Sequence, residues 1–180
     1  FYQCDADVVG SNALLNEVEL VSIYQEVFSQ LGLKDCTIKI NHRKILTALA
    51  EVCGGAEKMI GITIAIDKLD IIGLEKVKEE LVGRGLDAEQ VTIIEKYLGI
   101  SGSNDERIAQ LKTLLGENAN AKKGIEELEY LYLKFATNDS TLAVDFTLAR
   151  GLNYYTGIIF EVAAPPSIKM GSIGGGGRYD

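Results

Sequence analysis

Two segments of this chain concentrate groups that could do chemistry. An arginine, an asparagine, two tyrosines and two glycines fall within eight residues, Arg150-Gly151-Leu152-Asn153-Tyr154-Tyr155-Thr156-Gly157. Four consecutive glycines at 174–177 then run into Arg178-Tyr179-Asp180. Arg150 offers a permanent cation to a phosphate or carboxylate. The glycine run is expected to form neither helix nor strand, because each glycine loses maximal backbone entropy on ordering. It offers close backbone approach, against a ligand or a flat ring. A third set lies near the start, where Gln3, Asp5 and Asp7 alternate with Tyr2, Cys4, Ala6 and Val8. That alternation predicts a strand over residues 1–10 whose second face is either wet or lines a polar site. On a strand, Gln3 and Asp7 would stand about 13 Å apart, room for a small ligand with two polar ends.

Other chemistries have little material. The only histidine, His42, stands beside no hydroxyl or thiol nucleophile in the pattern, so covalent hydrolysis is unsupported. His42 is expected at the surface, at the start of a helix, with no chemical role. Cys4, Cys36 and Cys53 are odd in number and lack C-x-x-C spacing, so no disulfide framework or zinc site is predicted. They are expected to be reduced and packed, as in a cytoplasmic protein. The net charge of −8 argues against nucleic-acid binding by bulk charge, though not against a local basic patch. No apolar run approaches the roughly 20 residues of a membrane span. The chain opens on Phe1-Tyr2-Gln3 without an initiator methionine or a signal peptide, and is expected to be an excised fragment.

The elements that must hold these groups can be read from periodicity. Ser11-Asn12 is a candidate helix cap. Leu14, Leu15, Val18, Val21, Val27, Phe28 and Leu31 predict an amphipathic helix over 13–31, ended by Gly32. Residues 36–41 read as a short strand. From 43 to about 138 the period is helical, with stripes such as Leu74, Val77, Leu81 and Ile125, Leu128, Leu131. Capping-box spacings at Asp87-x-x-Gln90 and Ser103-x-x-Glu106 start two helices in a module of four to six. Strands are predicted over 141–148 and 154–162, forming a hairpin-like pair about the turn at 150–153, with Pro165-Pro166 ending the second. The fold class is therefore α+β: an antiparallel sheet flanked by helices and interrupted by an all-helical insertion. Three regions follow: a first core segment at 1–42, the insertion at 43–138, and a second core segment at 139–180.

At these residues the chain resembles the histidyl-tRNA synthetases. The run from Arg150 to Glu161 looks like that family's first histidine-specific motif, and Gly175-Gly176-Gly177-Arg178-Tyr179-Asp180 like its second. Phe1-Tyr2-Gln3-Cys4-Asp5 to Gly10 resembles the second strand of class II motif 2, in the form typical of the eukaryote-like branch. The resemblance implies an enzyme that joins histidine to ATP as histidyl-adenylate and passes the histidyl group to tRNA(His). Its substrates would be L-histidine, ATP with Mg2+, and tRNA, with no structural metal held by the protein. It implies a cytoplasmic homodimer, with no membrane association. By the same resemblance, Arg150 would be catalytic, placing positive charge on the α-phosphate. Gln3 would bind the α-amino group, Asp7 and Tyr155 would bracket the imidazole, and Tyr179 with Gly176 and Gly177 would close the pocket. Tyr154 would belong to the core. Asn153 stands where most relatives carry aspartate. Lys76, Lys78, Lys122 and Lys123 are candidate tRNA phosphate contacts on the insertion.

The same resemblance puts motif 1, the arginines of motifs 2 and 3 and the anticodon-binding domain outside these residues, so the fragment alone is expected to be inactive. Two rival readings share the fold: a histidine-binding regulatory paralogue of histidine biosynthesis, and a synthetase-like tRNA-sensing module. The presence of Arg150, Gln3 and Tyr155 together favours the enzyme.

Overall fold

The computed structural model describes residues 2–33, 35–135, 142–149 and 154–180. Its frame is a sheet of four strands in the order β2-β1-β3-β4: β1 (Thr37–His42), β2 (Leu142–Val144), β3 (Ile158–Ala163) and β4 (Ser172–Gly177). The apolar Ile38, Ile40, Ile158, Phe160 and Val162 are buried, so the two central strands are the spine of the core. β1 runs parallel to β2 and antiparallel to β3, and β3 runs antiparallel to β4. The hairpin expected about 150–153 is therefore not formed. β1 sits between the two strands, and the helical segment is the crossover that a parallel pair needs. The turn at 150–153 itself lies outside the described residues. The α+β class stands, with a mixed sheet in place of an antiparallel one.

The first helix, α1 (Leu15–Gln30), forms where expected, but of the predicted stripe it buries only Val21, with Leu14, Val18 and Phe28 partly buried and Leu15, Val27 and Leu31 exposed. Its N-cap position is Leu14, with no capping side chain, so Ser11-Asn12 does not cap it. The Ser11 hydroxyl instead accepts from the Ala13 amide two residues on, one turn too early to serve the helix. Between Arg43 and Phe135 run seven α-helices, one more than the upper expectation: α2 (Arg43–Val52), α3 (Met59–Asp67), α4 (Leu69–Ile72), α5 (Leu74–Gly83), α6 (Ala88–Leu98), α7 (Asn104–Leu115) and α8 (Ala119–Phe135). The excess comes from α3 and α4, split at Lys68 within one apolar run. Both predicted capping boxes are present, at Asp87 and Ser103. The edge of β2 is sealed by α7. The Asn104 amide donates to the Leu142 carbonyl at 2.9 Å and accepts from the Val144 amide at 2.9 Å, standing in for a further strand.

Two expectations about burial fail. Residues 2–9 form no strand and are exposed throughout. Alternation only marks two faces, and among the described residues no neighbouring strand pairs with these amides. Cys36 and Cys53 are buried as expected, but Cys4 is exposed with this segment.

His42 is fully buried, against the surface position expected. It does start a helix: its Nδ1 accepts from the Lys44 amide and caps α2. That assigns the ring proton to Nε2, which donates to the Glu127 carboxylate at 2.8 Å. α8 comes this close to α2 because Gly124 faces it, where a Cβ would stand 2.8 Å from Ile45. Burial lowers the His42 pKa. The hydrogen bond from His42, together with Lys44, holds the Glu127 carboxyl at about 2. A lone histidine cannot be placed by periodicity; its partner lies 85 residues away.

Both shifts make folding acid-sensitive. Below the ordinary 6.5 of histidine, an unfolded chain takes up a proton that the buried ring resists. Glu127 adds stability above 4.5 that is lost as pH falls toward 2. Urea midpoints should hold steady above about pH 7 and drop between about pH 6.5 and 5. In His42→Gln that first drop should be absent, leaving the loss at lower pH.

Candidate functional site

The glycine run does form a strand. β4 spans Ser172–Gly177 and pairs with β3 from Ala163 to Ile159. The expectation from backbone entropy fails because ladder hydrogen bonds to a buried neighbour repay it, and because the bare backbone admits aromatic rings. A Cβ on Gly174 would meet the Tyr24 ring at 3.0 Å, and one on Gly177 the Tyr155 ring at 2.9 Å and the Ile158 carbonyl at 2.8 Å. The Tyr24 hydroxyl also donates to the Gly175 carbonyl at 2.9 Å. The close approach expected of a ligand is here made by the protein's own Tyr24 and Tyr155 rings.

The end of β4 carries Tyr179 into an aromatic cluster. Its ring lies 5.5 Å from Tyr154, which meets Tyr155 edge-on at 5.2 Å. Tyr154 is exposed, not in the core. Strand alternation does not reach it, since β3 begins only at Ile158. The Tyr179 hydroxyl donates to Asp7 at 3.1 Å, bridging 172 residues of sequence. This hydrogen bond, with the charge of Asp7, raises the Tyr179 pKa. Partial burial raises that of Tyr155, with Tyr154 and Asp7 adding to it. Asp7, Tyr155, Tyr179, Gly176 and Gly177 therefore share one corner. Gln3 does not join it here: its amide donates to Asp5 at 3.2 Å on the exposed segment. Arg150 and Asn153 lie outside the described residues.

Three contributors escaped the sequence reading. Tyr24 underlies the glycine strand. Arg178 lies over Gly157, where a Cβ would stand 2.7 Å from its side chain, and makes a fork to buried Glu17 at 2.6 and 2.9 Å. Only the glycine at 157 hinted at this crowding. A shallow cleft elsewhere, lined by Lys39, Asp67, Asp70, Asp145 and Glu161, shares no residue with the tyrosine corner. Lys39 pairs with Asp145 there at 2.9 Å. Burial alone would raise the Asp145 carboxyl, but hydrogen bonds from Thr147 and Lys39 hold it low.

The insertion lysines divide. Lys78 pairs with Glu95 at 3.1 Å and with Glu75, and Lys123 with Glu127 at 3.6 Å. Lys76 and Lys122 are exposed on α5 and α8. Among the described residues no group of three or more His, Cys, Asp or Glu is placed to hold a metal, and no helix is long and apolar enough to cross a membrane.

Comparison with known proteins fits this geometry. A family profile described as histidyl-tRNA synthetase matches residues 1–180. The histidine–tRNA ligase of Flavobacterium johnsoniae is 51% identical over 183 residues, covering 100% of this chain and 38% of its own length. A crystal structure of histidyl-tRNA synthetase from Nostoc sp. PCC 7120 superposes with a TM-score of 0.86 at 32% identity, over 94% of this chain and 41% of that one. An ATP phosphoribosyltransferase regulatory subunit/histidyl-tRNA synthetase from Bacillus halodurans shares the fold, with a TM-score of 0.79 at 20% identity, over 95% and 44%. Sheet and helical segment together are those of a class II ligase. The chain belongs to the histidyl-tRNA synthetase family and spans about two fifths of the length of the curated relatives it matches. These relatives are bacterial, and the eukaryote-like branch finds no support among them.

The glycine strand gives a direct structural test. Gly177→Ala would push a methyl into both the Ile158 carbonyl and the Tyr155 ring. It should cost about 1–3 kcal/mol, the scale of overpacking. Gly171→Ala, where a Cβ meets nothing within 4 Å, should cost a few tenths at most. Thermal unfolding of the two variants side by side checks the difference.

Proposed function

We propose that this chain is the histidine-reading part of a histidine–tRNA ligase, which activates L-histidine with ATP and passes the histidyl group to the 3′ end of tRNA(His). The observation that carries the reading is the Tyr179–Asp7 contact, since it joins the early polar segment to both glycine- and tyrosine-rich motifs. An imidazole has two distinct nitrogens, one donating and one accepting when neutral. Asp7 would accept from its N–H, and the Tyr155 hydroxyl would serve the other nitrogen. Both groups would be left unpaired by an amino acid lacking such a ring, which is how a small ligand is chosen. Gln3 would swing in to take the α-amino group, and Tyr179 with Gly176 and Gly177 would form the wall.

The attacking carboxylate is already ionised, so adenylation needs no general base. It needs positive charge on the α-phosphate as charge redistributes, and Arg150 is our candidate to supply it. ATP would arrive with Mg2+. We take 1–42 and 139–180 as the two segments of a catalytic core and 43–138 as an insertion placed toward tRNA, with Lys76, Lys78, Lys122 and Lys123 as phosphate contacts. Exposed Lys76 and Lys122 are the better candidates; Lys78 and Lys123 would first have to leave their carboxylate partners. The whole enzyme would be a cytoplasmic homodimer, and these 180 residues alone would be inactive.

The test uses the full-length enzyme. Asp7→Ala should raise the KM for histidine about 10- to 100-fold, the scale of a lost charge-assisted hydrogen bond, and leave that for ATP nearly unchanged. Arg150→Ala should instead cut single-turnover adenylate formation on the order of 100-fold while histidine affinity stays within a few-fold. Equal effects of Asp7→Ala on both substrates would make Asp7 structural.

A further inference from the structure

Beside the pocket wall proposed above lies a largely buried ion pair, Arg178 with Glu17. Tyr179 is exposed, and its neighbours in the chain fix where it can reach. Arg178 is bound at every level. Its amide donates to the Ile158 carbonyl at 2.9 Å, and its carbonyl accepts from the Thr156 amide at 2.8 Å. Its guanidinium grips Glu17 through Nε and the NH2 nitrogen, and reaches the Ala13 carbonyl at 3.3 Å. Glu17 sits in the first turn of α1 and is 3% exposed. A buried carboxylate is costly unless paired, and a planar fork is the geometry that pairs it. Next along the chain, Asp180 accepts from the Thr156 hydroxyl at 2.9 Å, so Tyr179 is suspended between two fixed residues. α1 is also the helix that follows directly on the segment carrying Asp7.

We propose that Arg178 and Glu17 are positioning residues for histidine recognition: their ion pair ties the start of α1 to the end of β4 and so holds Tyr179 against Asp7 at the pocket. This rests on the pocket reading given above. Removing the pair leaves both pocket groups chemically intact but free to drift apart. The loss therefore falls on histidine binding and not on ATP or on the chemical step. A misplacement of about 1 Å can cost as much as about 100-fold, so a tenfold effect is within reach.

The experiment is steady-state and single-turnover kinetics on the full-length enzyme with Glu17→Gln, Arg178→Lys and Tyr179→Phe, and the double variant of Glu17→Gln with Tyr179→Phe. Glu17→Gln should raise the KM for histidine about tenfold, with adenylation rate and the KM for ATP within about twofold. Arg178→Lys, which keeps the charge but not the fork, should show a smaller rise. The double variant should be little worse than the worse single, because both changes disable one contact. If Glu17→Gln does not fold, Arg178→Lys carries the same comparison. A variant with a lower melting temperature but an unchanged KM for histidine, alongside a raised KM in Tyr179→Phe, would overturn the positioning role and leave the pocket reading standing. No effect of Tyr179→Phe would remove the pocket reading, and this inference with it.

Discussion

The structure turns on the missing side chains of residues 174–177. An edge strand of glycines gains little from its own residues, and its order depends on the ladder to β3. What it gains is nearness. Tyr24 can rest on Gly174 and Tyr155 on Gly177 because no Cβ intervenes. These contacts bring α1 and the tyrosine segment to one corner of the sheet. Three distant stretches of sequence thereby meet at the glycine strand.

Near that strand, two buried carboxylates are paired. Arg178 and Glu17 pair beside the corner, and His42 and Glu127 pair beneath it, each linking the sheet to a helix. Such pairs contribute less to net stability than to a single arrangement, since breaking one leaves a charge without water or partner. They are suited to fixing where α1 and α8 lie on the sheet. The half-buried Lys39–Asp145 pair instead ties β1 to the segment after β2.

Local signals in the sequence were reliable where neighbouring residues decide the outcome. The helical span of α1, the capping boxes at Asp87 and Ser103, and the strand at β1 all depend on residues within one or two turns. Asp7, Tyr155 and Tyr179, singled out through the motifs that contain them, do lie near one another. What escaped depends on distant partners. His42 reads as a surface cap until Glu127 covers it, and the glycine run reads as a coil until β3 pairs with it. Residues 2–9 alternate like a strand but have no ladder among the described residues. Tyr154 seemed a core residue only because the strand was expected to begin four residues early. Composition gave no hint of Glu17 and Arg178, whose partnership spans 161 positions.

The central claim is that Asp7 and Tyr155 read the two nitrogens of a histidine ring. A crystal structure of the full-length enzyme with histidine tests it most directly. The account places the imidazole between the Asp7 carboxylate and the Tyr155 hydroxyl, each within about 3.2 Å of a different ring nitrogen, with Tyr179 alongside. A histidine bound with its ring turned away from Asp7, and the carboxylate facing solvent, would contradict it.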